Sequence, residues 1–159
     1  MKKNGSIRPA DSRTTLILLC ASILLAAVTV VTLLFLYPRI RAGKELGRIR
    51  ASLEDGVTGM VLTDPISGRD AVPAPGETEE LAGMLRAALR SARYAGKSDA
   101  ESGNWDVRAA CTLPDGSRVL LYLTADGELY FSRGITRFYF RPAETAFADR
   151  CFDLLSGDA

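Results

Sequence analysis

Apolar and polar positions divide this chain into one long uncharged run and a later region that changes period several times. Thr14 to Tyr37, TTLILLCASILLAAVTVVTLLFLY, carries no charge and is followed at once by Pro38 and Arg39. At about 1.5 Å per residue these 24 residues make a helix of roughly 36 Å, enough to cross a hydrocarbon core of about 30 Å. Ser22, Thr29 and Thr32 do not weaken this reading, because each hydroxyl can return to a carbonyl one turn back. A cleaved signal peptide has an apolar region of only about 7 to 15 residues and a small-x-small exit. Leu16 to Leu36 is longer, with Ala26 and Ala27 in its middle and bulky Leu36 and Tyr37 at its exit. A lipoprotein reading of Cys20 meets large Leu19 immediately before it and an apolar run that continues well beyond it.

Beyond the span, Ile40, Leu46, Ile49 and Leu53 recur at near-helical spacing, so residues 38–55 read as a juxtamembrane stalk helix or a linker stopped by Gly56. Val57 to Thr63 is rich in β-branched residues and ends at Asp64-Pro65, which predicts a strand and a turn. A loop follows to Pro75, with a brief strand at Arg69 to Val72. From Glu77 the period becomes helical: Leu81, Met84, Leu85, Ala88, Leu89 and Ala92 mark one face, with Gly96 as the expected cap. Glu77, Glu79 and Glu80 at its start and Arg86, Arg90 and Arg93 towards its end suit the helix dipole.

After a polar stretch from Lys97 to Asn104 the period becomes two: Trp105, Val107, Ala109, Cys111 and Leu113 alternate with more polar neighbours. Pro114-Asp115-Gly116, Asp126-Gly127 and Arg133-Gly134 then separate strands at Arg118 to Thr124, Glu128 to Ser132 and Thr136 to Phe140. These four strands form an antiparallel meander. Phe147, Cys151, Leu154 and Leu155 define a last helix over Ala143 to Leu155. The predicted fold class is α+β: an N-terminal transmembrane helix, then an antiparallel sheet of four to five strands with two helices packed on one face. Its core would join Trp105, Val119, Leu121, Leu123, Leu129, Phe131, Phe138 and Phe140 to Leu81, Leu85, Leu89, Phe147 and Cys151. The expected domains are a basic tail at 1–13, the span at 14–37, the stalk at 38–55 and a soluble domain at 56–159.

Charge alters this picture in one respect. The formal net charge of +1 hides an asymmetry: residues 1–50 hold nine Lys or Arg against Asp11 and Glu45, and residues 51–159 hold eleven against seventeen acids. Both flanks of the span are basic, as headgroup contact would favour. Their near-equality leaves the positive-inside comparison undecided. A short basic tail before an apolar run has the form of an uncleaved signal anchor, which places the tail in the cytoplasm and the domain outside it; the basic run from Arg39 to Arg50 argues the other way. The acidic domain excludes nucleic acid as an expected partner.

Candidate chemistry is sparse. Histidine is absent, so no imidazole serves as ligand or general base. No Gly-rich phosphate loop or dinucleotide pattern occurs. Asp115 and Asp126 each precede a hairpin Gly, where turn geometry accounts for them. No catalytic residue, cofactor site or metal site is expected, and the chain is read as not being an enzyme. Cys111 and Cys151 both point at the predicted core, either as a disulfide worth roughly 3 to 4 kcal/mol in an oxidising compartment or as two buried thiols. Arg86, Arg90 and Arg93 form a ridge that is either an anion site or a solvated helix face. On the sheet face away from the helices, Arg108, Leu120, Tyr122, Tyr130, Arg137 and Tyr139 project together. Tyr and Arg are the residues in which protein interfaces concentrate binding energy, whereas a merely solvated face would use Tyr as a strand former and Arg as a cover for apolar area.

Over Val57 to Phe140 the length and order of elements resemble the small membrane-anchored extracytoplasmic α+β domains of bacteria. The resemblance implies a bacterial envelope location and carries no activity. Three functions are compatible with these patterns. The first is an anchored extracytoplasmic domain binding a protein or peptide partner through the Tyr and Arg face. The second is an assembly subunit of a membrane complex acting through its transmembrane helix. The third is an envelope hydrolase, which would need two convergent acids away from hairpin turns. The partners expected are the lipid bilayer and another envelope or membrane protein.

Overall fold

The computed structural model describes residues 12–98, 106–133 and 136–157. Its first element, α1 (Ser12–Glu54), is a single α-helix. Within it the apolar run is solvent-facing throughout, and it is the one helix among the described residues long and apolar enough to cross a membrane. The hydroxyls of Ser22 and Thr29 donate to the carbonyls of Leu19 and Leu25, both at 2.8 Å, so these polar groups are satisfied within the helix as a bilayer requires.

The chain divides into two compact units, Met1–Arg39 and Ile40–Ala159. The second unit begins at Ile40, so the segment read as a stalk belongs to it except for Pro38 and Arg39. Ala42, Leu46 and Leu53 are buried there, Ala42 and Leu53 completely. Gly43 and Gly47 do not interrupt the helix; burial of the apolar stripe outweighs a cost of about 1 kcal/mol for each Gly.

Among the described residues the sheet has seven strands, against the expected four to five. They are β1 (Gly59–Thr63), β2 (Asp70–Ala71), β3 (Arg93–Ser98), β4 (Val107–Thr112), β5 (Arg118–Leu123), β6 (Leu129–Arg133) and β7 (Thr136–Arg141). All pairings are antiparallel, in the order β2-β1-β4-β5-β6-β7-β3. The predicted meander is β4 to β7. Gly116 and Gly127, with φ of 80° and 75°, supply the left-handed turn positions. Asp115 accepts from both the amide and the hydroxyl of Ser117, which is turn chemistry, and these hydrogen bonds hold its carboxyl below the usual carboxylate range.

The strand missed by the sequence pattern is β3. The helix expected to run from Glu77 to Gly96 is α2 (Pro75–Ser91). Pro75 opens it at a position where the lost amide costs nothing, and Glu77 accepts from the Ala74 amide at 3.0 Å. The chain then leaves helical geometry at Ala92, and Arg93 and Gly96 enter an edge strand paired with β7, with a register irregularity between Tyr94 and Gly96. The last helix, α3 (Ala146–Ser156), ends on Gly157 at φ 81°.

Strand register puts Met60, Leu62, Val107, Ala109, Cys111, Leu121, Leu123, Leu129, Phe131, Phe138 and Phe140 on one sheet face. These residues share a single buried cluster with Leu46 and Leu53 of α1, Leu81, Leu85 and Leu89 of α2, and Phe147 and Cys151 of α3. Phe131 stacks on Phe140 with ring centroids 4.9 Å apart, an offset arrangement that adds to the area buried. Trp105, expected in this core, lies outside the described residues.

A tyrosine row across the sheet as candidate interface

The opposite face follows from the same register. Asp70, Thr63, Arg108, Tyr122, Tyr130, Tyr139 and Gly96 stand directly opposite one another in succession, one residue from each strand. Direct opposition brings antiparallel neighbours within about 5 Å at Cβ, close enough for aromatic rings to meet. Tyr122 and Tyr130 stack with centroids 4.9 Å apart and planes 11° from parallel. Tyr130 and Tyr139 follow at 5.0 Å and 34°. The Arg137 guanidinium lies 5.8 Å from the centre of the Tyr130 ring, within the range of a cation–π contact.

Four of the six residues picked out for this face are half-buried: Arg108, Tyr122, Arg137 and Tyr139. Tyr130, at the centre, is only 2% exposed. Its environment raises the phenol well above the ordinary value, burial being the main cause and the Arg137 charge acting in the opposite direction. The row is thus a packed ribbon whose accessible parts are the flanking Tyr and Arg side chains, and not a uniformly solvated sheet face. Leu120, expected beside them, is 45% exposed.

Arg108 connects the row to β1, donating from a terminal nitrogen to the Thr63 hydroxyl at 3.1 Å. Its Nε is buried and meets no acceptor among the described residues. An unmet buried donor on a charged group costs free energy. The pattern visible beforehand was the alternation of residue types; the exact opposition of the three rings required the register.

Cys111 and Cys151 are both fully buried and both free thiols. The structure brings them into one core, as their face assignments required, but without a bond. Burial pushes each thiol up to about 12, with the neighbouring Cys111 adding to the effect on Cys151. They lack the electropositive, accessible surroundings that make a thiol reactive. Among the described residues no group of three or more Cys, Asp or Glu side chains converges as a ligand set. No protein-family model, curated protein or solved structure matches the chain.

Proposed function

We propose that the chain is a non-catalytic single-pass membrane protein whose larger unit lies outside the cytoplasm and binds a carboxylate-rich segment of another envelope or membrane protein along the tyrosine row. In this reading Thr14 to Tyr37 is the anchor and the shorter helices cover the sheet face opposite the row. The supporting observation is the succession of Arg108, Tyr122, Tyr130 and Tyr139 across four adjacent strands, with Arg137 beside it. Residues 51–159 are acidic as a whole and the row itself ends on Asp70 of β2, but the guanidinium groups of Arg108 and Arg137 lie beside the tyrosines, where they favour an acidic occupant. Rigid aromatic rings supply contact area at low entropic cost, and a guanidinium pairs with a carboxylate through two parallel hydrogen bonds.

The test uses the full chain in phosphatidylcholine nanodiscs, panned against a random-peptide phage library. Enriched peptides are then titrated onto the wild type and onto Arg108→Gln/Arg137→Gln. Carboxylate-rich peptides are expected, with affinity reduced at least about tenfold in the double variant. Equal affinity for both proteins, or no enrichment over empty nanodiscs, overturns the reading. Orientation is tested separately by fusing to Ala159 one reporter active only outside the cytoplasm and another that fluoresces only inside it.

A further inference from the structure

The arginine ridge noted in the sequence is rearranged by the fold. Arg90 stays on α2, whereas Arg93 lies on β3 directly opposite Arg141 of β7. Like charges in direct cross-strand opposition destabilise a sheet. All three arginines line one open cleft of about 750 Å³, walled further by Tyr94 and Pro142. Arg141 is paired with Glu128. Among the described residues the side chains of Arg90 and Arg93 make no ion pair.

A helix C-terminus normally repels anions, because its last carbonyls carry the negative end of the dipole. Here those carbonyls are already covered. The Arg50 guanidinium donates to the carbonyl oxygens of Leu89 and Arg90, adding a fourth positive charge beside the cleft. The Ser91 hydroxyl is committed as well, donating to the Ala88 carbonyl at 3.0 Å and accepting from the Ala143 amide at 3.1 Å. What the cleft still offers is guanidinium.

We propose that this cleft binds a phosphate-bearing anion, held by Arg90 and Arg93 with Arg141 shared between the anion and Glu128. A phosphate group, with several acceptor oxygens and up to two negative charges, fits convergent guanidinium groups better than a single carboxylate does. The volume exceeds that of the anion alone and leaves room for an organic body beside Tyr94 and Pro142. A soluble phosphate ester and a phosphate lipid headgroup share this chemistry. The site uses none of the tyrosine-row residues and does not depend on the partner reading.

Inorganic pyrophosphate is titrated by calorimetry onto the full chain in phosphatidylcholine nanodiscs. Saturable binding below about 1 mM is expected, weakened at least about tenfold in Arg90→Gln and in Arg93→Gln and unchanged in Arg118→Gln, an exposed arginine outside the cleft. Repeating the titration with phosphatidic acid in the nanodiscs separates the sources: loss of pyrophosphate binding assigns the cleft to a lipid headgroup, and retained binding assigns it to a soluble phosphate. Thermal melting gives a second readout. Without anion Arg93→Gln should melt above the wild type, because the opposed charges are gone, and pyrophosphate should raise the midpoint of the wild type more than that of Arg93→Gln. Absence of saturable binding, or equal affinity in wild type and both cleft variants, overturns the proposal.

Discussion

Arg50, near the end of α1, donates through Nε to the carbonyl oxygen of Leu89 at 2.9 Å, in the last turn of α2. A terminal nitrogen of the same guanidinium reaches the Arg90 carbonyl at 3.3 Å. The side chain is half-buried and closes a helix end that has no glycine cap, since Ala92 leaves in extended geometry. Hydrogen bonds from a charged donor contribute about 1.5 to 3 kcal/mol where solvent is partly excluded. Arg50→Ala should therefore lower unfolding stability by about 1 to 2 kcal/mol. Arg50→Lys should recover part of it, because an ammonium keeps the charge but not the fork. Urea unfolding of the detergent-solubilised full chain, followed by near-ultraviolet circular dichroism, measures both.

Leu53 decides where the folded unit starts. It is fully buried in the cluster shared with the sheet and the other helices. Leu53→Ala should cost about 2 to 5 kcal/mol, as for other buried leucines, and match Leu85→Ala, also at a fully buried site. Ile40→Ala, at an exposed site on the same helix, should change stability by no more than about 0.5 kcal/mol. A flexible stalk would make all substitutions between 40 and 54 neutral in the same unfolding assay.

The contrast between the meander and its surroundings shows what local sequence carries. For β4 to β7, strict alternation and Asp-Gly turns specify both strands and faces, because side chains repeat every two residues and the turn geometry is imposed by glycine. Nothing local marks β3. Its Arg-Tyr-Ala-Gly-Lys-Ser sequence has weak strand preference, and its pairing partner β7 lies some forty residues later. There Gly96 resembled a helix cap, whereas tertiary pairing decides its conformation. Residues 40–54 were obscured for a related reason: Gly43 and Gly47 lower helix propensity, while the compensating burial is supplied by distant strands. The tyrosine row was legible as a set of residue types on one face, but its ring contacts depend on register. The like-charged pair Arg93 and Arg141 was not legible at all without β3.

Two hairpin glycines share a backbone conformation but differ in surroundings. Gly116 and Gly127 both have positive φ, yet a Cβ on Gly116 meets nothing within 4 Å while one on Gly127 lies 3.0 Å from Thr145 Cγ2. Gly116→Ala should cost about 1 kcal/mol from backbone strain alone. Gly127→Ala should cost more, because Thr145 must also shift just before α3, where its hydroxyl donates to Asp149 at 2.8 Å. Relieving the contact with Thr145→Ser should bring the two costs together. A double-mutant cycle measured by thermal unfolding tests this, and equal costs for the two glycine variants would remove the contact as a cause.

Alkaline pH should unfold the larger unit through groups buried in their neutral forms. Cys111 and Cys151 are each raised from an ordinary value of 9.0 to about 12 by burial, and Tyr130 is shifted upward from 10.0 for the same main reason. In every case the folded protein holds its proton to higher pH than the unfolded chain. Between pH 9 and 12 the native state thus binds more protons than the unfolded state, and stability must fall as pH rises. It is fully present below the unfolded values and is lost progressively above them. The unfolding midpoint should be flat, as far as these groups are concerned, from neutral pH to about 8, roughly a unit below the ordinary thiol value, and then decline. Cys111→Ala/Cys151→Ala should be less stable at pH 7 yet show a shallower alkaline decline. In the folded wild type both thiols should resist iodoacetamide at pH 8 and react once urea has unfolded the chain. Rapid alkylation of either under native conditions would show that the core opens far more readily than its packing implies.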